Sequence, residues 1–264
     1  MKTEKVIAHI VDWLSGYAKK SGTKGFVIGI SGGIDSAITS TLAAKTGLKV
    51  LCLEMPIHQD QTQVQRAENH IQFLKSKFNN VSSIKTDLTP VFDEFTRSTK
   101  TKNETELEKL ALANTRSRLR MTTLYYYAQL NQSLVLGTGN KIEDFGVGFF
   151  TKYGDGGVDL SPIADLTKTE VYEIGKQLGV INEILIAPPT DGLFGDERTD
   201  EQQIGATYPE LEWAMQLIEN NNTVDKSKFS KREAEVFEIF SRLNRVNQHK
   251  MNPIPVCEIP KELK

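Results

Sequence analysis

Cysteine is scarce in this chain of 264 residues: Cys52 and Cys257 are the only two, and they lie far apart. A disulfide framework and a paired-cysteine zinc site are therefore excluded, and the count suits a reducing compartment. Long apolar runs are missing as well. Nothing approaches the ~20 consecutive apolar residues that a bilayer requires. The N-terminal stretch is broken by Glu4, His9 and Asp12, so it has no secretory apolar region, and the expected location is cytoplasmic. Excess positive charge is absent too: 32 Lys and Arg against 34 Asp and Glu leave a net charge of −2. A nucleic-acid binder ordinarily shows a basic footprint, so neither nucleic acid nor a membrane is expected as a partner. No internal repeat or low-complexity tract interrupts the chain.

What is present is ordinary globular composition, 39% hydrophobic and 25% charged. A chain this long buries roughly three quarters of its unfolded surface and needs no metal or disulfide to hold it together. Short β-rich apolar runs fall at residues 25–30, 49–53, 81–85 and 133–137, with a weaker one at 158–160. Runs without polar alternation suit strands covered on both faces of a parallel sheet. Helical periodicity covers residues 3–20, 35–46, 61–77, 104–130, 167–178, 207–219 and 231–246. The alternation predicts an α/β fold, an open doubly wound parallel sheet of Rossmann-like type with flanking helices. The segments 97–104 and 187–199 are polar and uncommitted; a long loop of the latter kind in a compact domain suits a lid. Cys52 is expected in the core. His9, His58 and His70 show no ligand spacing and are assigned to the surface.

The most informative segment follows the first strand: Gly29, Ile30, Ser31, Gly32, Gly33, Ile34, Asp35 and Ser36. Adjacent glycines permit positive φ and close approach of a ligand, and the amides opening the next helix favour an anion. Asp35 would repel a bare phosphate but fits one bridged by a divalent cation. The same residues also read as a plain Gly-rich turn with Asp35 capping the helix. No Gly-Lys-Ser/Thr follows, so this is not a Walker loop, and the dinucleotide Gly-x-Gly-x-x-Gly pattern is missing.

A second segment begins after the fourth strand. Thr138 lies at the carboxyl end of the sheet, where open α/β folds bind ligands, and Glu143 could share a metal with Asp35. Residues 149–157, Phe-Phe-Thr-Lys-Tyr-Gly-Asp-Gly-Gly, put aromatics, a cation and glycines in one loop. They suit stacking on a base and holding phosphate, or equally a surface loop with two core phenylalanines.

These two segments carry a resemblance. Residues 31–36 are similar to the Ser-Gly-Gly-x-Asp-Ser loop of the PP-loop ATP pyrophosphatases, of the adenine nucleotide alpha hydrolase type. Residues 148–157 closely resemble a signature of the NAD synthetase family. The likeness runs from about residue 25 to 252. It implies an ammonia-dependent ligase that amidates deamido-NAD with ATP as co-substrate and Mg2+ as cofactor, forming AMP and pyrophosphate through an adenylate. It implies ATP contacts from residues 29–36, Thr138, Lys168 and Thr190, and magnesium held by Asp35 and Glu143. Deamido-NAD would meet Arg118, Lys152, Asp159, His249 and Lys250, and Asp155 would help deprotonate ammonium. The family's loop is commonly one residue shorter than the stretch Asp144–Gly148 makes it here. Taken locally, Arg116, Arg118 and Arg120 would form a solvated face, and His249-Lys250 a solvated basic pair. A single synthetase domain over residues 1–264 is expected, without a glutaminase domain. A PP-loop enzyme acting on tRNA would want a basic face and usually catalytic cysteines. Residues 104–130 carry apolar and aromatic side chains on more than one face, which suits a twofold interface or burial of both faces within one subunit, and the resemblance implies a homodimer.

Overall fold

The computed structural model describes the chain except residues 101, 103, 191, 195–197 and 221–224. Helix α1 (Thr3–Ser21) leads into β1 (Gly25–Gly29), α2 (Ile34–Lys45), β2 (Lys49–Glu54), α3 (Gln61–Lys77) and β3 (Val81–Lys85). Next come α4 (Thr89–Thr99), α5 (Glu106–Asn131) and β4 (Leu134–Val135), then a π-helical turn at Ile142–Val147. Helices α6 (Lys168–Leu178), α7 (Asn182–Leu185), α8 (Asp200–Ile204), α9 (Tyr208–Asn220) and α10 (Lys231–Met251) complete the fold. The strands pair in parallel in the order β3-β2-β1-β4, so the expected α/β doubly wound sheet is what forms.

Alternating strand residues serve two layers. Phe26 and Ile28 face α1, α2 and α6, meeting Leu14, Ile38, Leu42 and Ile174. Val27, Leu51 and Leu53 face the other side, against Phe92 of α4 and Leu112 and Ala128 of α5. A smaller core joins Ile142 and Val147 to Leu211 of α9 and to Val236 and Phe240 of α10. Each such fully covered aliphatic or aromatic side chain contributes roughly 1.5–3 kcal/mol.

Several local expectations shift. Helix α4 is additional, and takes in Arg97–Thr99 of a segment that reads as polar coil. Its one buried residue is Phe92, too little for a visible stripe. The weak strand at 158–160 is reduced to one bridge, Leu136 to Leu160. Helix α10 runs past 246 to Met251. Cys52 is in the core, and His9 and His58 are exposed.

His70 corrects its surface assignment: it is fully buried. With Ala67, Ile71 and Leu74 it forms the inward stripe of α3. Ser40 of α2 donates to the Ser36 carbonyl (2.7 Å) and lies at hydrogen-bond distance, 2.9 Å, from His70 Nε2. Nδ1 has no partner among the described residues. Burial lowers the His70 pKa from 6.5 to about 4. The folded protein therefore resists a proton that the unfolded chain accepts. This contribution is complete above pH 6.5 and is lost as pH falls from there toward 4, by about 3 kcal/mol in all. Unfolding midpoints measured from pH 8 to pH 4 should fall more steeply for the wild type than for His70→Gln.

Candidate active site

The order 3-2-1-4 reverses between β1 and β4, and a crevice opens there beyond the carboxyl ends of the strands, the usual ligand site of such sheets. The loop after β1 forms one wall and the segment after β4 the other. The cavity is lined by Gly29, Ile30, Ser31, Gly32, Gly33, Ile34, Asp35 and Ser36, by Thr138, Glu143, Asp155 and Lys168, and by Thr190 from the polar loop.

The glycine-rich turn is braced by its own hydroxyls. Ser31 Oγ accepts from the Gly33 amide (3.2 Å) and lies 3.1 Å from Ser36 Oγ, which donates to the Gly33 carbonyl (3.0 Å). Gly32 has φ +81°, and a Cβ there would stand 2.6 Å from the Gln63 carbonyl oxygen of α3. Gly33 is the N-cap of α2, and no side chain caps the helix. Its first amides are thus left for an anion. The alternative of Asp35 as the cap is not what the fold adopts.

Asp35 turns instead toward Lys168, the first residue of α6. Lys168 Nζ donates to Asp35 Oδ2 (2.6 Å) and to Glu143 Oε1 (3.0 Å), and the lysine is only 3% exposed. Asn140 donates to Asp35 Oδ1 (3.2 Å), and its own oxygen accepts the amides of Ile142 and Glu143. Tyr208 donates to Glu143 Oε1 at 2.5 Å, and its ring lies 4.7 Å from Lys168 Nζ. Burial would strip the lysine of its proton, but the two carboxylates outweigh it and raise its pKa. Burial also pushes Glu143 up, yet Lys168 and the Tyr208 hydroxyl hold it below the ordinary range, while for Asp35 burial prevails and raises it. A cation at a helix start opposes the helix dipole. Here two carboxylates compensate it.

Asp155 opens onto the same cavity. Its Oδ1 accepts from Ser117 Oγ (2.7 Å) and the Thr151 amide (2.9 Å), and its amide donates back to Ser117 Oγ (2.8 Å). Desolvation by the enclosing walls raises its pKa against these hydrogen bonds. Asn114 of α5 steadies the loop by accepting from Thr151 Oγ1 (2.6 Å).

Arg118, Lys152, Asp159, His249 and Lys250 do not line this cavity. They gather around the 149–159 loop, between α5 and α10. Arg118 Nε donates to the Lys152 carbonyl (3.3 Å), and Lys152 Nζ to the His249 carbonyl. Lys250 Nζ donates to the carbonyls of Gly148 (2.8 Å) and Phe150 (2.9 Å), so it is tied to the loop. Asp159 accepts from Tyr125 OH (3.1 Å) and the Val135 amide (2.8 Å). Of the three arginines read as a solvated face, only Arg118 is exposed. Arg116 stacks on Phe92 and donates to the Leu193 carbonyl, and Arg120 donates to the Met55 carbonyl and Gln59. Within the polar loop, Thr190 Oγ1 donates to the Arg198 carbonyl (3.1 Å). The lid expected over 187–199 includes Asp191 and residues 195–197, which lie outside the described residues.

Three contributors escaped the sequence reading. Tyr208 and Asn140 hold the carboxylates but belong to no local pattern. Asp144 also lines the cavity. A Cβ on Gly139 would collide with its carboxylate, so the glycine makes room for it. Burial and the charges of Glu143, Asp155 and Asp35 raise the Asp144 pKa well above the ordinary value. The extra residue counted in this stretch was the available signal. Most of that stretch forms the π-helical turn Ile142–Val147, whose i to i+5 repeat is wider than that of an α-helix.

Two half-buried carboxylates facing one cavity match what Mg2+ uses, one or two carboxylates plus substrate phosphates. Among the described residues no group of three His, Cys, Asp or Glu could hold a metal, so phosphate oxygens would have to complete the shell. Parallel sheet, switch-point crevice, uncapped glycine-rich turn and clustered charges together define a doubly wound nucleotide-binding α/β protein. The chain belongs to the NAD synthase family, whose model matches residues 6–254. It is 37% identical to the NH(3)-dependent NAD(+) synthetase of Carboxydothermus hydrogenoformans, over 98% of this chain and 96% of that one. The same identity holds for the NH(3)-dependent NAD(+) synthetase of Archaeoglobus fulgidus, over 98% of each. Among solved structures, the NMN synthetase from Francisella tularensis superposes with a TM-score of 0.83 at 31% identity, covering 99% of each chain. No helix of the described residues is long and apolar enough to cross a membrane.

Proposed function

We propose that this chain catalyses the last step of NAD biosynthesis, amidating deamido-NAD with ammonia in an ATP- and Mg2+-dependent reaction in the cytoplasm. The observation that carries the chemistry is the Lys168–Asp35–Glu143 cluster beside an uncapped glycine-rich turn. ATP would lie over residues 29–36, with Thr138, Lys168 and Thr190 also in contact with it. Asp35 and Glu143 would hold Mg2+, which when bound neutralises phosphate charge. The nicotinate carboxylate attacks the α-phosphorus, the α–β bridge breaks and pyrophosphate leaves. Ammonia then attacks the acyl carbon, and AMP leaves as the amide forms. No protein nucleophile is required; positioning and electrostatic stabilisation suffice. Asp155, whose raised pKa makes it the stronger base, would take a proton from ammonium. Arg118, Lys152, Asp159, His249 and Lys250 would hold deamido-NAD.

The test is an assay with ATP, Mg2+, deamido-NAD and ammonium. NAD, AMP and pyrophosphate should appear in equal amounts, and glutamine should not replace ammonium at comparable rates. ATP binding without pyrophosphate release would mark a regulator instead. The likeness to an NMN synthetase favours a second reading, in which the acceptor is the mononucleotide. Comparing kcat/KM for nicotinate mono- and dinucleotides decides between them.

We also propose a single synthetase domain acting as a homodimer. Leu107 and Leu110 near the start of α5, and Tyr126 and Leu130 near its end, are exposed apolar surface. Arg118 on the same helix would place deamido-NAD at the interface. Sedimentation velocity over a dilution series should show a dimer that deamido-NAD makes harder to dissociate; a fully active monomer would overturn the shared site.

A further inference from the structure

We infer that Lys168 occupies the place a divalent cation would take between Asp35 and Glu143, so that metal loading waits on a nucleotide whose phosphates draw the ammonium away. This rests on the reading of Asp35 and Glu143 as metal-holding residues. The geometry makes the two occupants compete for the same two oxygens. Lys168 Nζ stands 2.6 Å from Asp35 Oδ2 and 3.0 Å from Glu143 Oε1. A Mg2+ ion needs those oxygens at about 2.0–2.1 Å, which would put two cations on the same lone pairs at hydrogen-bond range, where repulsion is strong.

The lysine side chain is the group that phosphate would draw away, since phosphate offers the ammonium another anion. The α6 backbone is held by a capping box, with Thr167 Oγ1 accepting from the Glu170 amide and Glu170 accepting from the Thr167 amide. Glu143 is fixed by Tyr208 OH, and Asp35 by Asn140. Lys168 itself lines the cavity along with the glycine-rich turn, so phosphates lying over that turn are within the same enclosure. Moving the ammonium to a phosphate keeps it paired and vacates both carboxylates together. With no third ligating residue among those described, phosphate also supplies the donors that the metal lacks. One nucleotide thus removes the competitor and completes the shell.

Mn2+ is the probe, with the full chain and an ATP analogue whose α–β bridge is methylene. Anomalous diffraction from soaked crystals should locate Mn2+ between Asp35 and Glu143 only when the analogue is bound, with Lys168 Nζ moved onto phosphate. Without nucleotide, Lys168→Met should bind Mn2+ at least roughly tenfold tighter than wild type by calorimetry, since the competing charge is gone. The wild-type comparison needs no variant, and so holds even if Lys168→Met does not fold. Mn2+ seated between the carboxylates of the nucleotide-free wild type, or seated there with Lys168 still bridging, overturns the exchange while leaving the metal reading intact. Mn2+ found away from Asp35 and Glu143 with the analogue bound overturns both.

Discussion

If Asp35 and Glu143 hold Mg2+ as proposed, Asp35→Ala and Glu143→Ala will each reduce turnover by on the order of 10²–10⁴, because weakening the metal that neutralises phosphate charge costs several kcal/mol in the transition state. Both variants should still fold. In each, Lys168 keeps the other carboxylate at its present 2.6 or 3.0 Å, and neither carboxylate belongs to a hydrophobic cluster. Circular dichroism should therefore be unchanged while pyrophosphate release fails. Raising Mg2+ should recover part of the activity if the metal is merely bound more weakly. A variant that keeps wild-type rates at limiting Mg2+ would remove that residue from the metal site.

Gly32→Ala carries the second large effect, through two separate costs. The φ of +81° is a conformation that an L side chain adopts at about 1–2 kcal/mol. The added Cβ would also stand 2.6 Å from the Gln63 carbonyl oxygen, a backbone atom of α3 that cannot rotate aside. The turn must therefore shift, and the Ser31–Ser36 brace that holds the α2 amides open shifts with it. Apparent ATP affinity should fall by roughly 30–1000-fold, corresponding to about 2–4 kcal/mol. Gly47→Ala is a useful control. It also has positive φ, at +75°, but nothing lies within 4 Å of its Cβ, so it should lose only a little stability and no nucleotide binding. If Gly32→Ala binds ATP as the wild type does, the turn is not the phosphate cradle.

The chain order of β1, α2, β2 and α3, the doubly wound class and the glycine-rich turn were legible in the sequence, because each is set by residues near one another. Strand runs covered on both faces read as continuous apolar stretches, and positive φ next to a helix start demands glycine. The placement of Asp35, Thr138 and Glu143 near one crevice followed from where strands end. What only the tertiary structure decided are the partners. Lys168 reaches an aspartate 133 residues before it, and Glu143 is held by a tyrosine 65 residues after it. His70 looked like any polar residue on α3 until α2 packed over it and offered Ser40. Asp144 faces the cavity because a π-helical turn and the missing side chain at Gly139 let it. Periodicity reports which face of an element is buried. Which polar group meets which depends on how whole elements pack, and at this site the packing of α6, α9 and the post-β4 segment against the start of α2 brings the charges together.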